Sequence, residues 1–195
     1  MILPSYYLPP VSYVAALYQA TRRGEPVFVV TDEKWEKQTL RSRCFIDGPK
    51  GQQMLGVPVV HDGAKTMSDI RLSDHGNWRH QHAQALVSTY QNSPFFEYLW
   101  DDFKPHFEPE KYQKLIDLNQ GLLETVLNLL EIPLPQAVNK GEVEDFQAQV
   151  CPSYPQVFSH RHAFIENLSV VDLIFNMGME SRIILKNTEK FIKIS

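Results

Sequence analysis

With two cysteines, Cys44 and Cys151, in 195 residues, the chain has too few to read as a disulfide framework, and a reducing cytoplasm is the expected compartment. No stretch approaches the ~18 to 20 consecutive apolar residues of a membrane span. The opening MILPSYYLPP has no basic segment followed by an apolar run, so no export signal is expected either. Positive charge is not in excess. The formal net charge is −4, whereas a nucleic-acid or anionic-membrane footprint needs a net basic face. Common catalytic signatures are missing too: there is no Gly-x-Ser-x-Gly elbow, GxxxxGK[ST] phosphate loop, GxGxxG turn, His-Glu-x-x-His or paired CxxC. The sequence therefore names no cofactor and indicates no metal site.

A hydrophobic content of 43% and an aromatic content of 11% place the chain among compact globular proteins. The length suits one domain over residues 1–195, with no repeat or compositional boundary, and it does not encode an oligomeric state. Residues 1–5 form a short apolar stretch. Pro10 suits the first turn of a helix over residues 11–23, which Gly24 ends, and residues 26–31 read as a buried strand. That order of strand, helix and strand predicts a parallel pair. Residues 67–72 alternate weakly as another strand. Helical spacing follows over residues 78–91, from Pro94 through Phe103, and over residues 110–130, where Pro133 and Pro135 stop it. The polar stretch from there to Gln149 reads as an exposed connection or a short extra element. Ser169, with Asp172 three residues later and apolar residues flanking the cap, marks a helix start, and Gly178 fits its far end. The predicted class is α+β: a small mixed sheet from the N-terminal third, with helices from the C-terminal two-thirds packed on it.

The most informative stretch runs over residues 35–60. Asp47-Gly48-Pro49-Lys50-Gly51 is a turn signal, so the flanking segments read as a hairpin. If its first strand is regular from Trp35 to Ile46, Lys37, Arg41 and Arg43 share one face with Trp35 and Phe45. Cations so close together repel, so an anion lies against them: either protein carboxylates such as Glu33 or Glu36, or the phosphate or carboxylate of a substrate. The same parity turns Cys44 inward with Leu40 and Ile46, which makes it a buried small hydrophobe rather than a nucleophile paired with His82.

Three further places can contribute to a site. His82 lies on the apolar stripe of its helix four residues after Trp78, placed as a general base or as a satisfied core histidine. Tyr6 and Tyr7 follow the first strand, where open α/β sheets bind ligands, although two core aromatics would look the same. Asn119 falls on the apolar stripe of the longest helix, so its amide either bonds across the core or points at a ligand.

Taken together, ILPSYYLPPVSY, KQTLRSRCFI with LGVPV, W-x-x-x-H at Trp78 and His82, Tyr90 with SPFFEY, YPQVF and NLSVVDLIFNMG resemble the WbqC-like proteins in one order along nearly the whole chain. The chain departs from that pattern at Ser42, where an asparagine is expected, and at Gly56, where a hydroxyl residue is expected. The resemblance implies a cytoplasmic bacterial protein of surface-polysaccharide or O-antigen sugar modification. The expected activity is an enzyme, a transferase, acting on an anionic activated substrate such as a nucleotide-linked sugar; the competing class is a non-catalytic binding or assembly protein. Its candidate site combines His82 and Tyr7 as catalytic groups with Lys37, Arg41, Arg43, Tyr6, Trp78, Tyr90 and Asn119 as substrate contacts.

Overall fold

The computed structural model describes residues 1–139 and 151–188. The chain opens with β1 (Ile2–Leu3), α1 (Val11–Arg22) and β2 (Phe28–Val30), and β1 and β2 pair in parallel as the strand, helix and strand order predicts. The hairpin follows as β3 (Arg43–Ile46) and β4 (Gln53–Gly56), antiparallel with Arg43 opposite Gly56 and Ile46 opposite Gln53. Its turn closes through a 3.0 Å bond from the Gly51 amide to the Gly48 carbonyl, with Gly51 at φ 106°. Then come α2 (Trp78–Tyr90), α3 (Phe96–Phe103), α4 (Leu115–Leu129), β5 (Gln136–Val138), α5 (Val170–Met177) and α6 (Ser181–Asn187).

The α+β class holds, and the β structure contains both parallel and antiparallel pairs. It divides into a parallel sheet of order β1-β2-β5 and the separate β3–β4 ladder. β5 is a short extra element in the polar stretch after Pro135, a three-residue edge strand whose type no local pattern announced, and residues 140–149 of that stretch lie outside the described residues. Residues 67–72 do not form a strand. Met67–Asp69 is a 3₁₀ turn, and Arg71 and Leu72 make isolated bridges to Lys114 and Val59. The longest helix starts at Leu115 rather than near residue 110, so Tyr112 precedes it.

One apolar cluster unites these elements. α1 is buried along most of its length and packs on α5 and α6, while α3 packs on α4 and α5. α5 begins where the cap signal places it, with Ser169 Oγ accepting from the Val171 amide at 3.5 Å. Asp172 does not complete that cap by reaching back. Its carboxylate lies in the core and accepts from Tyr90 Oη at 2.8 Å, Tyr154 Oη at 2.7 Å and Gln156 Nε2 at 3.3 Å.

Candidate functional site

The row of cations does not lie on one strand. Residues 37–42 are turns and a bend, Gln38 sits at φ 63°, and extended pairing starts only at Arg43. A left-handed residue reverses the chain and breaks the period of two, so Lys37, Arg41 and Arg43 go to different surroundings.

Arg41 is the brace beneath this turn. Its guanidinium pairs with the buried Glu33 and, at 3.3 Å, with Glu36, and its side chain is only 12% exposed. Glu33 follows β2, and its other oxygen accepts from the Ser5 amide at 3.1 Å, so one carboxylate ties the ends of both parallel strands to the turn. Asn119 reaches the same turn from α4, donating from Nδ2 to the Arg41 carbonyl at 2.9 Å. Asn119 Oδ1 and Arg41 Nε are buried and have no protein partner among the described residues. The carboxylate alternative therefore applies at Arg41.

Lys37 and Arg43 meet in a different place. They line a concave cleft of about 450 Å³ with Trp35 and Ser42 on the turn side, and Met54, Gly56, Val57 to Val59 and His61 on the other. The second wall forms because Val57 extends the hairpin, its amide donating to the Ser42 carbonyl at 2.8 Å, before Pro58 ends the ladder. The Val60 amide then donates to the Arg71 carbonyl at 2.9 Å, carrying His61 to the rim. Among the described residues, neither Lys37 nor Arg43 has a carboxylate partner or a side-chain hydrogen bond. The cleft thus combines two unneutralised cations and an imidazole with a half-buried indole and aliphatic side chains. Such a lining suits a ligand that joins an anionic group to an apolar or ring-shaped body.

His82, Tyr7 and Trp78 stand together behind this wall. Tyr7 Oη lies 2.8 Å from His82 Nδ1, the imidazole also bonds the Gly56 backbone, and Trp78 meets the ring edge-on at 5.2 Å while its Nε1 donates to the Ser73 carbonyl at 2.8 Å. Burial lowers the His82 pKa to about 4 against the opposing Gly56 bond, so the imidazole is neutral at pH 7. Burial, with Cys44 nearby, pushes the Tyr7 phenol up. Tyr7 is fully buried and His82 is 5% exposed, and neither is among the cleft's lining residues. Cys44 is likewise buried, and burial raises its thiol pKa.

Two predicted contacts go elsewhere. Tyr6 is half-buried against Tyr13, their ring centres 5.4 Å apart. Tyr90 belongs to the internal acid network with Asp172 and Asp47, whose amide it accepts at 3.2 Å. His61 was missed because only the pairing of Val59 with Leu72 brings it to the rim; no sequence period links it to Arg43. Among the described residues, no three His, Cys, Asp or Glu side chains converge as metal ligands, and no helix is long and apolar enough to cross a membrane.

Residues 4–145 match the model of the WbqC-like protein family, and the chain belongs to that family. Neither a curated protein nor a solved structure matches the chain.

Proposed function

We propose that this member of the WbqC-like family binds the anionic part of an activated sugar, such as a nucleotide-linked sugar, in the cleft bearing Lys37 and Arg43. On this reading it is a cytoplasmic enzyme, a transferase, of bacterial surface-polysaccharide or O-antigen modification. The observation that carries the reading is the pair of cations in one concave site with no counter-charge among the described residues, beside the Trp35 indole and the aliphatic wall of Val57, Pro58 and Val59. Each charge-assisted contact to a phosphate contributes on the order of 1.5 to 3 kcal/mol. Trp35 offers a face for a sugar or base ring.

Arg41, Asn119, His82, Tyr7 and Trp78 act in this proposal as positioning residues. Arg41 and Asn119 hold the turn that carries Lys37, and the Tyr7–His82 pair supports Gly56 on the opposite wall. The engagement of both Tyr7 and His82 with protein partners favours a second reading, a binding or assembly protein of the same pathway that does no chemistry.

Thermal-shift measurements over nucleotide-linked sugars, free nucleotides and sugar phosphates test the site, because a ligand that binds the folded state raises its apparent stability by mass action. The expected result is a shift for an anionic sugar derivative that disappears in Arg43→Ala and Lys37→Ala. A shift unchanged in both variants, or none with any anionic compound, refutes the assignment. Turnover of the bound compound separates the transferase from the binding protein.

A further inference from the structure

At the far end of the hairpin, the turn is held by a histidine from a distant part of the chain. His162 Nδ1 lies 3.0 Å from the Ala163 carbonyl oxygen, while Nε2 lies 2.9 Å from the Gly48 carbonyl oxygen and 3.1 Å from Asp47 Oδ1. Carbonyl and carboxylate oxygens accept, and a neutral imidazole has only one N–H to give. Both sets of contacts are satisfied together only when both ring nitrogens carry hydrogen. Asp47 is fully buried and secures the same junction, its Oδ2 accepting from the Phe158 amide at 3.0 Å and its Oδ1 from the Gly48 amide at 2.9 Å.

The hairpin strands and the residues that follow the latched segment also line a half-open pocket of about 250 Å³. Phe45 and Gln52 come from the hairpin, Glu166 and Asn167 from the segment after His162, and Cys44 lies on its lining. We propose that His162 is a proton-operated latch that seats residues 156–165 on the hairpin turn and so holds the residues that follow, Glu166 and Asn167, against the buried Cys44.

Among the described residues, the charged and titratable groups around the latch are few. Asp47 faces His162 from the turn; His160 and Arg161 lie on its own segment, with Arg161 Nε 3.2 Å from His160 Nε2; and Asp172 stands behind Asp47, reached through Tyr90. The Ala163 and Gly48 carbonyls, and then Asp47, raise the His162 pKa above the ordinary histidine value. The contribution of a group raised on folding is complete below its unfolded value and is lost as pH rises through the folded one, so the latch closes toward acid and opens toward base. Asp172 acts in the same direction, because burial raises it to about 6 against the bonds from Tyr154 and Tyr90.

Two measurements on the full chain test the latch. The first is the NMR titration of the His162 ring nitrogens in the wild-type protein. The second is the alkylation rate of Cys44, resolved by peptide mapping, in wild type and His162→Gln at about pH 6 and about pH 9. Comparing the two proteins at one pH cancels the thiol's own titration. The expected results are a ring protonated on both nitrogens at the lower pH, titrating above free histidine, and a Cys44 that reacts several-fold faster in His162→Gln at the lower pH with rates converging at the higher. A ring that titrates at or below the ordinary value, or equal Cys44 rates at the lower pH, overturns the latch. If His162→Gln fails to fold, the wild-type titration and the pH dependence of Phe158 amide exchange decide alone. None of these readouts depends on occupancy of the Lys37–Arg43 cleft.

Discussion

Removing the Tyr90 hydroxyl, as Tyr90→Phe, tests whether this residue serves the core or a ligand. The ring is fully buried, and its oxygen donates to Asp172 Oδ1 at 2.8 Å while accepting from the Asp47 amide at 3.2 Å. The variant leaves Asp172 with Tyr154 and Gln156 as donors and leaves the Asp47 N–H without its acceptor. A bond to a charged acceptor contributes about 1.5 to 3 kcal/mol and an orphaned buried donor costs about 1 to 3 kcal/mol; because both belong to one network, the expected loss is about 2 to 4 kcal/mol at neutral pH. Burial raises the Asp172 carboxyl to about 6, so it is ionised at neutral pH and protonated toward pH 5. A neutral carboxyl depends less on donors, so the loss should shrink on acidification. Urea denaturation of both proteins at about pH 7 and about pH 5 reads this difference directly. A loss below about 0.5 kcal/mol at neutral pH, or a larger loss at acid pH, refutes the network's structural role.

Arg41→Ala and Arg43→Ala should behave oppositely despite being two residues apart. Arg41→Ala strands the buried Glu33 carboxylate and should cost about 3 to 5 kcal/mol in denaturation, whereas Arg43→Ala should leave stability within about 0.5 kcal/mol and weaken an anionic ligand roughly ten- to a hundredfold in titration calorimetry. Cys44→Ala should lose about 1 to 2 kcal/mol of stability and keep ligand binding, and rapid alkylation of native Cys44 in wild type at about pH 6 would contradict its burial. Gly121→Ala should destabilise by about 1 to 3 kcal/mol, because the new methyl carbon would stand 2.2 Å from the Tyr112 hydroxyl that bonds His106 Nδ1; an unchanged melting temperature would show that this pair yields freely.

The sequence was most legible where one local signal decides the backbone. The Asp47–Gly51 turn, the Ser169 cap, the helix from Trp78 and the parallel pairing of the first two strands all rest on residues close in the chain or on a handedness rule. It was least legible where a local pattern was extended too far. Alternation from Trp35 to Ile46 looked continuous, yet the left-handed Gln38 ends it, and only Arg43 to Ile46 keep the strand period. The acidic residue of the apparent capping box likewise points into the core, because two tyrosines and a glutamine supply stronger partners than its own cap.

Composition and local pattern by themselves determined the α+β class, the hairpin, the helix starts at Trp78 and after Ser169, and the inward set of Cys44. Those features follow from side-chain period, turn conformation and capping, which act over a few residues. Only the tertiary structure decided which cations are left without a carboxylate partner among the described residues. Arg41 is neutralised because Glu33, just beyond β2, comes under the turn, while Lys37 and Arg43 face a cleft walled by Gly56, Val57, Pro58, Val59 and His61. Tertiary structure also joined Asp47 to Asp172 and His162, more than a hundred residues away, and left Tyr90 between the two acids rather than at the cleft. Charge neutralisation and hydrogen-bond pairing depend on distances of a few ångströms between segments remote in sequence, and such proximity has no period along the chain to be read from.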